Sequence, residues 1–208
     1  MPTSLVPQNL RSYNIKLASA SPRRKELMQL LGLDFEVVNT HDVEEVCPPS
    51  LPVFRHPEYL SILKASAYYD ELAANDLLIT ADTMVICDGD AFGKPNDREE
   101  AISMLQTLSG RLHHVVTGVT VCSVKLQVSF SVTTDVEFAQ LSQSEIEAYV
   151  DTCRPFDKAG AYGIQEWIGA IGISGIYGSY YNVMGLPVHY LYEVLKHFAS
   201  FETKAKDL

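Results

Sequence analysis

The sequence predicts an α/β protein in which helices flank a mixed central β-sheet. Runs rich in Leu, Ile, Val and Thr, which are typical of strands, interleave with segments that carry helix start and stop residues. Two long strand-like runs, residues 111–124 and 126–141, favour a hairpin. Antiparallel pairing is therefore expected beside parallel pairing in one sheet.

Local signals place the helices. Ser21 is a candidate N-cap with Pro22 at the first helical position, and this helix is expected to end near Gly32. Ser142 and Glu145 form a capping-box pattern at the start of a later helix. Further strands are predicted at 13–19, 34–40 and 76–87, and a turn at 88–90 leads into a short returning strand. Further helices are predicted at 57–74, 96–110, 142–152 and 187–201. The remaining segments are an acidic and proline-rich loop at 41–55 and a glycine-rich mixture of loop and strand at 160–185.

Length and composition indicate one domain over residues 1–208. The predicted location is the cytoplasm. No apolar run approaches the ~20 residues of a membrane span, and residues 1–14 lack the charged and apolar regions of a signal peptide. A net charge of −10 argues against binding to a nucleic-acid backbone. The cysteines are scattered without a C-x-x-C pair, which is typical of thiols in a reducing compartment. They are Cys47, Cys87, Cys122 and Cys153.

Residues 17–32, LASASPRRKELMQLLG, join the end of a strand to a helix that carries two adjacent arginines. Backbone N–H groups, the hydroxyls of Ser19 and Ser21 and the positive end of the helix dipole converge there. Arg23 and Arg24 add planar cations suited to phosphate oxygens. The stretch favours an anion site, and an ordinary capped helix with exposed arginines is the alternative.

Three charged residues lie in positions where a functional role and a structural role are both open. Asp82 ends an apolar strand in ITADTMV and could hold a hard cation or take a proton from water; a turn or cap residue is the alternative. Lys94 lies between glycine and proline in FGKP, and Lys64 lies in an otherwise apolar helical neighbourhood. For both lysines the alternative is an ammonium in solvent.

Residues 157–165, DKAGAYGIQ, combine glycines with an aromatic ring and an amide. Gln165 offers a donor and an acceptor, so it can pair with a nucleobase edge; the alternative is a loop in which it caps backbone groups. Residues 179–187 indicate a helix lead-in with core contacts rather than chemistry. Walker, dinucleotide-binding and G-x-S-x-G motifs are absent, and no histidine is assigned a catalytic role.

Six blocks taken together resemble the Maf family of nucleoside triphosphate pyrophosphatases, over roughly residues 15–196. They are LASASPRRKELMQLLG, ITADTMV, FGKP, LSGRLHHVVTGV, DKAGAYGIQ and NVMGLP. The resemblance implies two lobes around a deep cleft, a homodimer, and a divalent metal, Mg²⁺ or Mn²⁺. It also implies hydrolysis of a nucleoside triphosphate to the monophosphate and pyrophosphate.

The resemblance implies roles for individual residues. The substrate-binding residues it implies are Ser19, Ser21, Arg23, Arg24, Lys64 and Lys94. The residues associated with substrate choice are Arg23, Thr83 and Gln165. Asp82 is the implied proton acceptor, and Glu45 and Asp82 are the implied metal ligands; a base role and a ligand role for Asp82 both stay open.

The DKAGAYGIQ block resembles the branch of the family that acts on dTTP and UTP. The implied role is to clear noncanonical nucleotides, with a link to septum formation and arrest of division. Two alternatives stay open: a pyrophosphatase for another modified nucleotide such as 7-methyl-GTP, and a nucleotide-binding regulator of septum formation that does not hydrolyse its ligand. Retention of Glu45, Asp82 and both lysines favours catalysis.

Overall fold

The computed structural model describes residues 7–205. The signal-peptide prediction concerns residues 1–14, of which the first six lie outside the described residues. In that range the strands are β1 (Asn14–Leu17), β2 (Glu36–Val37), β3 (Asp76–Cys87), β4 (Asp90–Phe92), β5 (Leu112–Cys122), β6 (Gln127–Phe138) and β7 (Ile173–Tyr177). The helices are α1 (Pro22–Leu30), α2 (His56–Ser66), α3 (Arg98–Leu108), α4 (Gln143–Cys153), α5 (Trp167–Gly172), α6 (Tyr180–Met184) and α7 (Val188–Ala205). Short 3-10 turns cover Gln8–Ser12, Val53–Arg55, Tyr69–Glu71 and Ala159–Ala161. None of the described helices is both long and apolar enough to cross a membrane.

One mixed sheet organises the fold, as the sequence predicts. Its strand order is β2-β1-β3-β5-β6-β7, and β4 pairs with β3 beyond the end of β1. β1 runs parallel to β2 and β3, whereas the remaining pairs are antiparallel. β5 and β6 form the predicted long hairpin.

One edge of β3 has a gap in its pairing. β1 pairs with β3 as far as Ile79, and β4 pairs with β3 only from Val85 onward. The intervening residues 80–84 pair with β5 on their other side but have no strand neighbour at this edge. Their backbone carbonyls at that edge therefore need donors from elsewhere.

Two hydrophobic clusters meet along β3. One cluster packs Ala81 and its neighbours against α1 and α7, and the other packs Val85 against α3 and α4. The residues between Ala81 and Val85 therefore lie at the boundary between the two hydrophobic clusters. A cleft opens at this junction.

Several local predictions are confirmed. The Ser21 side chain accepts the Arg24 backbone N–H at the start of α1. Ser142 and Glu145 make the predicted capping box at the start of α4. The turn between β3 and β4 has positive φ at Asp88 and at the following glycine, as a tight hairpin turn requires.

Three segment predictions are wrong in extent. The helix predicted for 57–74 ends at Ser66, because the chain then turns to bury the Tyr68 ring. The strand predicted for 34–40 shortens to β2, which lies at the sheet edge and pairs only with β1. The glycine-rich region 160–185 contains two helices, α5 and α6, in addition to its predicted loop and strand.

Helix α2 lies unusually close to the sheet because β5 carries a glycine beneath it. A Cβ on Gly118 would meet backbone atoms of Pro57 and Glu58 at 2.2 Å. Buried hydroxyls fix the same contact: the Ser61 hydroxyl lies 2.9 Å from that of Thr120. The start of α2 therefore has little freedom to shift.

We expect Gly118→Ala to destabilise the protein by about 1–3 kcal/mol, because the added methyl group forces α2 off the sheet. Urea unfolding followed by circular dichroism measures the change. Gly93→Ala is the matched control, since a Cβ there meets nothing within 4 Å and its effect should stay within ~0.5 kcal/mol. Equal stability of the two variants would contradict the close packing of α2.

Candidate active site

A cleft of about 730 Å³ opens beside the gap in β3. All ten residues to which the sequence assigns site roles line this one cleft. They are Ser19, Ser21, Arg23, Arg24, Glu45, Lys64, Asp82, Thr83, Lys94 and Gln165. They come from α1, α2, β3 and four loops, so they are far apart in the chain and become neighbours only in the folded protein.

Asp82 lies within β3 rather than at its end. The prediction that Asp82 closes the strand is wrong, because pairing with β4 and β5 carries β3 on to Cys87. Side chains alternate between the faces of a strand, so Asp82 shares a face with Thr80. Thr80 donates to the backbone carbonyl of Ser61 on α2, which places the Asp82 carboxylate on the α2 side. Only 9% of Asp82 is exposed.

Lys64 on α2 points into the cleft and does not extend into solvent. Its Nζ lies 2.6 Å from Oδ1 of Asp82 and 3.1 Å from Oε1 of Glu45. The anchoring of Ser61, one turn earlier on α2, aims Lys64 at β3. Two carboxylates and one ammonium thus converge at the centre of the cleft.

Tyr68, which the sequence analysis did not single out, fixes the acidic loop that carries Glu45. Its hydroxyl donates to the Asn39 carbonyl at 2.6 Å and accepts the His41 backbone N–H at 3.2 Å. Burial raises the pKa of Tyr68, which keeps the hydroxyl protonated as a donor. The His41 ring packs edge-on against the Tyr68 ring and its Nε2 lies 3.0 Å from a Glu71 oxygen.

The start of α1 presents serine hydroxyls and backbone amides to the cleft. Ser19 Oγ accepts the Ser21 N–H at 3.2 Å, and Ser21 Oγ caps the helix. Pro22 at the first position has no N–H. The positive end of the helix dipole therefore faces the cavity, as the sequence predicts for an anion site.

The two adjacent arginines have different partners. Arg23 Nη1 lies 2.6 Å from Oδ2 of Asp157, across the cleft. Arg24 donates to the carbonyls of Ala81 and Gly185, each at 2.8 Å, and to Oγ1 of Thr83 at 3.0 Å. Arg24 therefore provides the Ala81 carbonyl with a donor at the edge where β3 has no strand neighbour. The alternative of a capped helix with exposed arginines is wrong for Arg24. Burial lowers the pKa of Arg24, and the Asp82 charge opposes that shift.

Asp157 joins two cations at the mouth of the cleft. Burial raises the pKa of its carboxyl, but hydrogen bonds from Lys158 and Arg23 outweigh that effect and lower it to about 2. Asp157 therefore stays charged near neutral pH and holds Arg23 in place. No local pattern in the sequence indicates the pairing of Arg23 with Asp157, since the two residues lie 134 positions apart.

The loop that carries Gln165 rests on a buried ring pair. The Tyr162 hydroxyl lies 2.8 Å from Nε2 of His113, and both residues are buried. Burial lowers the pKa of His113 to about 4, so this histidine is neutral near pH 7. Gln165 and Lys94 are exposed in the cleft, and neither side chain bonds to any residue within the described range 7–205.

The prediction of core contacts for residues 179–187 is confirmed for Asn182. Its buried amide nitrogen donates to the carbonyls of Val115 and Val132 and to the hydroxyl of Thr134. The same segment also reaches the cleft, because the Gly185 carbonyl accepts from Arg24.

The fold is an α/β fold similar to that of solved Ham1 proteins. The solved Ham1 protein of Staphylococcus aureus is similar with a TM-score of 0.51 and 19% identity, covering 91% of this chain and 99% of that chain. A HAM1 protein from Coxiella burnetii is similar with a TM-score of 0.52 and 15% identity, covering 89% and 99%. At these identities the likeness concerns the fold alone.

The chain belongs to the Maf family, because residues 14–198 match the family described as "Maf-like protein". A relative from Bacteroides thetaiotaomicron is 53% identical over 188 residues, 90% of this chain and 97% of its own. A relative from Porphyromonas gingivalis is 53% identical over 192 residues, which cover 91% of this chain and 96% of that relative. One from Flavobacterium psychrophilum is 45% identical over 188 residues, covering 90% and 96%. Each of these three relatives is named dTTP/UTP pyrophosphatase.

The different partners of the two arginines predict unequal losses of stability when each is removed. Arg24→Met should lower the free energy of unfolding by about 1–3 kcal/mol, because it leaves buried carbonyls without a donor. Arg23→Met is the matched control and should cost no more than ~1 kcal/mol, since Asp157 is half exposed. Denaturant unfolding of both variants measures the difference. Equal destabilisation would mean that Arg24 does not support the β3 edge.

Proposed function

We propose that this chain hydrolyses dTTP and UTP, together with modified pyrimidine triphosphates, to the monophosphate and pyrophosphate. The observation that carries the proposal is the position of Asp82, nearly buried in a cleft lined by Arg23, Lys64 and Lys94. The names of the relatives, which share about half of their residues with this chain, support the same substrates. The proposed role is to clear noncanonical nucleotides, with a link to septum formation and arrest of division.

The cations of the cleft suit a polyanion. A triphosphate carries about four negative charges near neutral pH, and these repel an incoming nucleophile. Arg23, Lys64, Lys94 and the start of α1 would neutralise part of that charge. The overall charge of −10 is no obstacle, because the positive groups are concentrated where the phosphates would lie.

Glu45 and Asp82 would hold a divalent cation, Mg²⁺ or Mn²⁺. Their oxygens already converge on one cation, the Lys64 ammonium, and carboxylate oxygens are the donors that hard metals prefer. No group of three or more His, Cys, Asp or Glu side chains forms a metal site within the described residues. A metal would therefore take two protein ligands and complete its shell with phosphate oxygens and water. When bound, it would neutralise phosphate charge and stabilise the departing pyrophosphate.

Asp82 would orient the attacking water. Its carboxylate is fixed in the cleft by the pairing of β3 with β5, so it can accept a proton from a water molecule in line with the scissile bond. Ser19 and Ser21, together with the first turn of α1, would hold the phosphates against that attack. These residues act through position and charge rather than through a covalent intermediate.

Gln165 would recognise the pyrimidine. Uracil and thymine present a donor beside an acceptor, and the Gln165 amide offers the complementary pair. That amide bonds to no other residue in the part of the chain that the structure describes, so it is available to a ligand. Thr83 and Arg23 would shape the rest of this selectivity, Thr83 through its bond with Arg24.

We further propose that the enzyme acts in the cytoplasm as a homodimer and that it binds nucleotides and not nucleic acid. Its acidity supports the last point, because a phosphate backbone needs an extended basic surface. The scattered cysteines form no disulfide in the described part of the chain, which agrees with a reducing compartment.

Asp82→Asn should lower the rate of pyrophosphate release from dTTP by at least ~100-fold while the protein stays folded, because the amide cannot accept the proton. Stopped assays with and without Mg²⁺, beside circular dichroism, measure both properties. Asp88→Asn removes the same charge from an exposed turn and should leave the rate unchanged. Near-normal turnover by folded Asp82→Asn would exclude Asp82 as the proton acceptor.

Gln165→Ala should reduce selectivity more than turnover, since loss of one paired polar contact costs ~1–3 kcal/mol for the matching base. Pyrophosphate release across dTTP, UTP, dCTP, dGTP and 7-methyl-GTP measures kcat/KM for each. Gln165→Glu keeps the shape but loses the donor, so it should lose selectivity in the same way. Unchanged preference in both variants would show that another group reads the base.

A further inference from the structure

Lys64 lies between the two carboxylates that we propose as metal ligands. Its ammonium contacts Asp82 at 2.6 Å and Glu45 at 3.1 Å, while the Lys64 side chain is only 23% exposed. An ammonium has three N–H donors, so a single group satisfies both carboxylates. The position where their negative charges converge is therefore already taken by a cation.

The other cations of the cleft are placed differently. Arg23 and Lys158 pair with Asp157, and Arg24 is bonded to Thr83 and to two carbonyls. Within residues 7–205, Lys94 has no bonded side-chain partner. Lys64 is the cleft cation that contacts both proposed ligands.

We infer that Lys64 is an exchangeable counter-cation. Without nucleotide it holds Glu45 and Asp82 together and keeps divalent ions out of the site. A triphosphate draws the ammonium onto its own oxygens, and the metal then enters together with the nucleotide. The inference rests on the proposed function for the identity of the two ligands.

Charge makes the two cations compete. A divalent ion on these oxygens would lie a few ångströms from the ammonium, and like charges at that distance repel strongly in a partly buried site. Two carboxylates bind Mg²⁺ or Mn²⁺ weakly until phosphate oxygens complete the shell. Both effects make metal binding depend on the nucleotide.

The structure also permits the exchange. Helix α2 is held by Ser61 and by its close approach to Gly118, so the helix itself stays in place. The flexible four-carbon stem of Lys64 lets the ammonium move by side-chain rotation alone. Glu45 is half exposed on its loop and can adjust to either cation.

The test is Mn²⁺ binding without nucleotide, measured by titration calorimetry or by electron paramagnetic resonance of free Mn²⁺. Lys64→Met should bind Mn²⁺ on the order of tenfold more tightly than the wild type, because two uncompensated carboxylates remain. Lys94→Met removes the same charge from the same cleft and should stay within about threefold of the wild type, since screening weakens its effect. Adding Asp82→Asn to Lys64→Met should abolish the gain.

Unchanged or weaker Mn²⁺ binding by folded Lys64→Met would overturn the inference. An equal gain in Lys94→Met would also overturn it, because the effect would then come from net charge. If circular dichroism shows that Lys64→Met does not fold, Lys64→Gln provides the same test with a neutral polar side chain. The measurement involves no turnover, so a failure here is distinct from a failure of the proposed hydrolysis.

Discussion

The cleft depends on the gap in pairing along one edge of β3. A strand interrupted at its edge leaves backbone carbonyls without partners, which is costly in a protein interior. Arg24 supplies the missing donor to Ala81 from the start of α1 and also bonds to the chain before α7. The same contact therefore brings the start of α1, with its serines and Arg23, beside Asp82. Structural support and the proposed anion site come from one short segment.

Two cations of the cleft are already paired with carboxylates of the chain. Lys64 is paired with Asp82 and Glu45, and Arg23 is paired with Asp157. An acidic chain can in this way keep cations in a partly buried cavity without the cost of unpaired charge. A polyanion would then exchange partners with these pairs and would not meet a bare positive surface. In the inferred mechanism, metal recruitment arises from that exchange.

The resemblance to a family directed attention to ten residues, and the structure brings all ten to one cleft. The resemblance did not distinguish residues whose side chains are available to a ligand from residues whose polar atoms already bond within the protein. Gln165 and Lys94 have no bonded side-chain partner in the described range, whereas Arg24 and Thr83 bond to each other. Two adjacent arginines look alike in a sequence, because the difference lies in what surrounds each one.

The sequence alone determined the features that rest on near neighbours in the chain: the caps at Ser21 and Ser142, the hairpin turn after Cys87, and the alternation of strands and helices. Only the tertiary structure decided that the Asp82 carboxylate pairs with Lys64 and that Arg24 bonds to Gly185, 161 positions away. The physical reason is the range of the interactions. Caps and turns are hydrogen bonds within a few residues, whereas the partner of a buried charge is chosen by how distant elements pack.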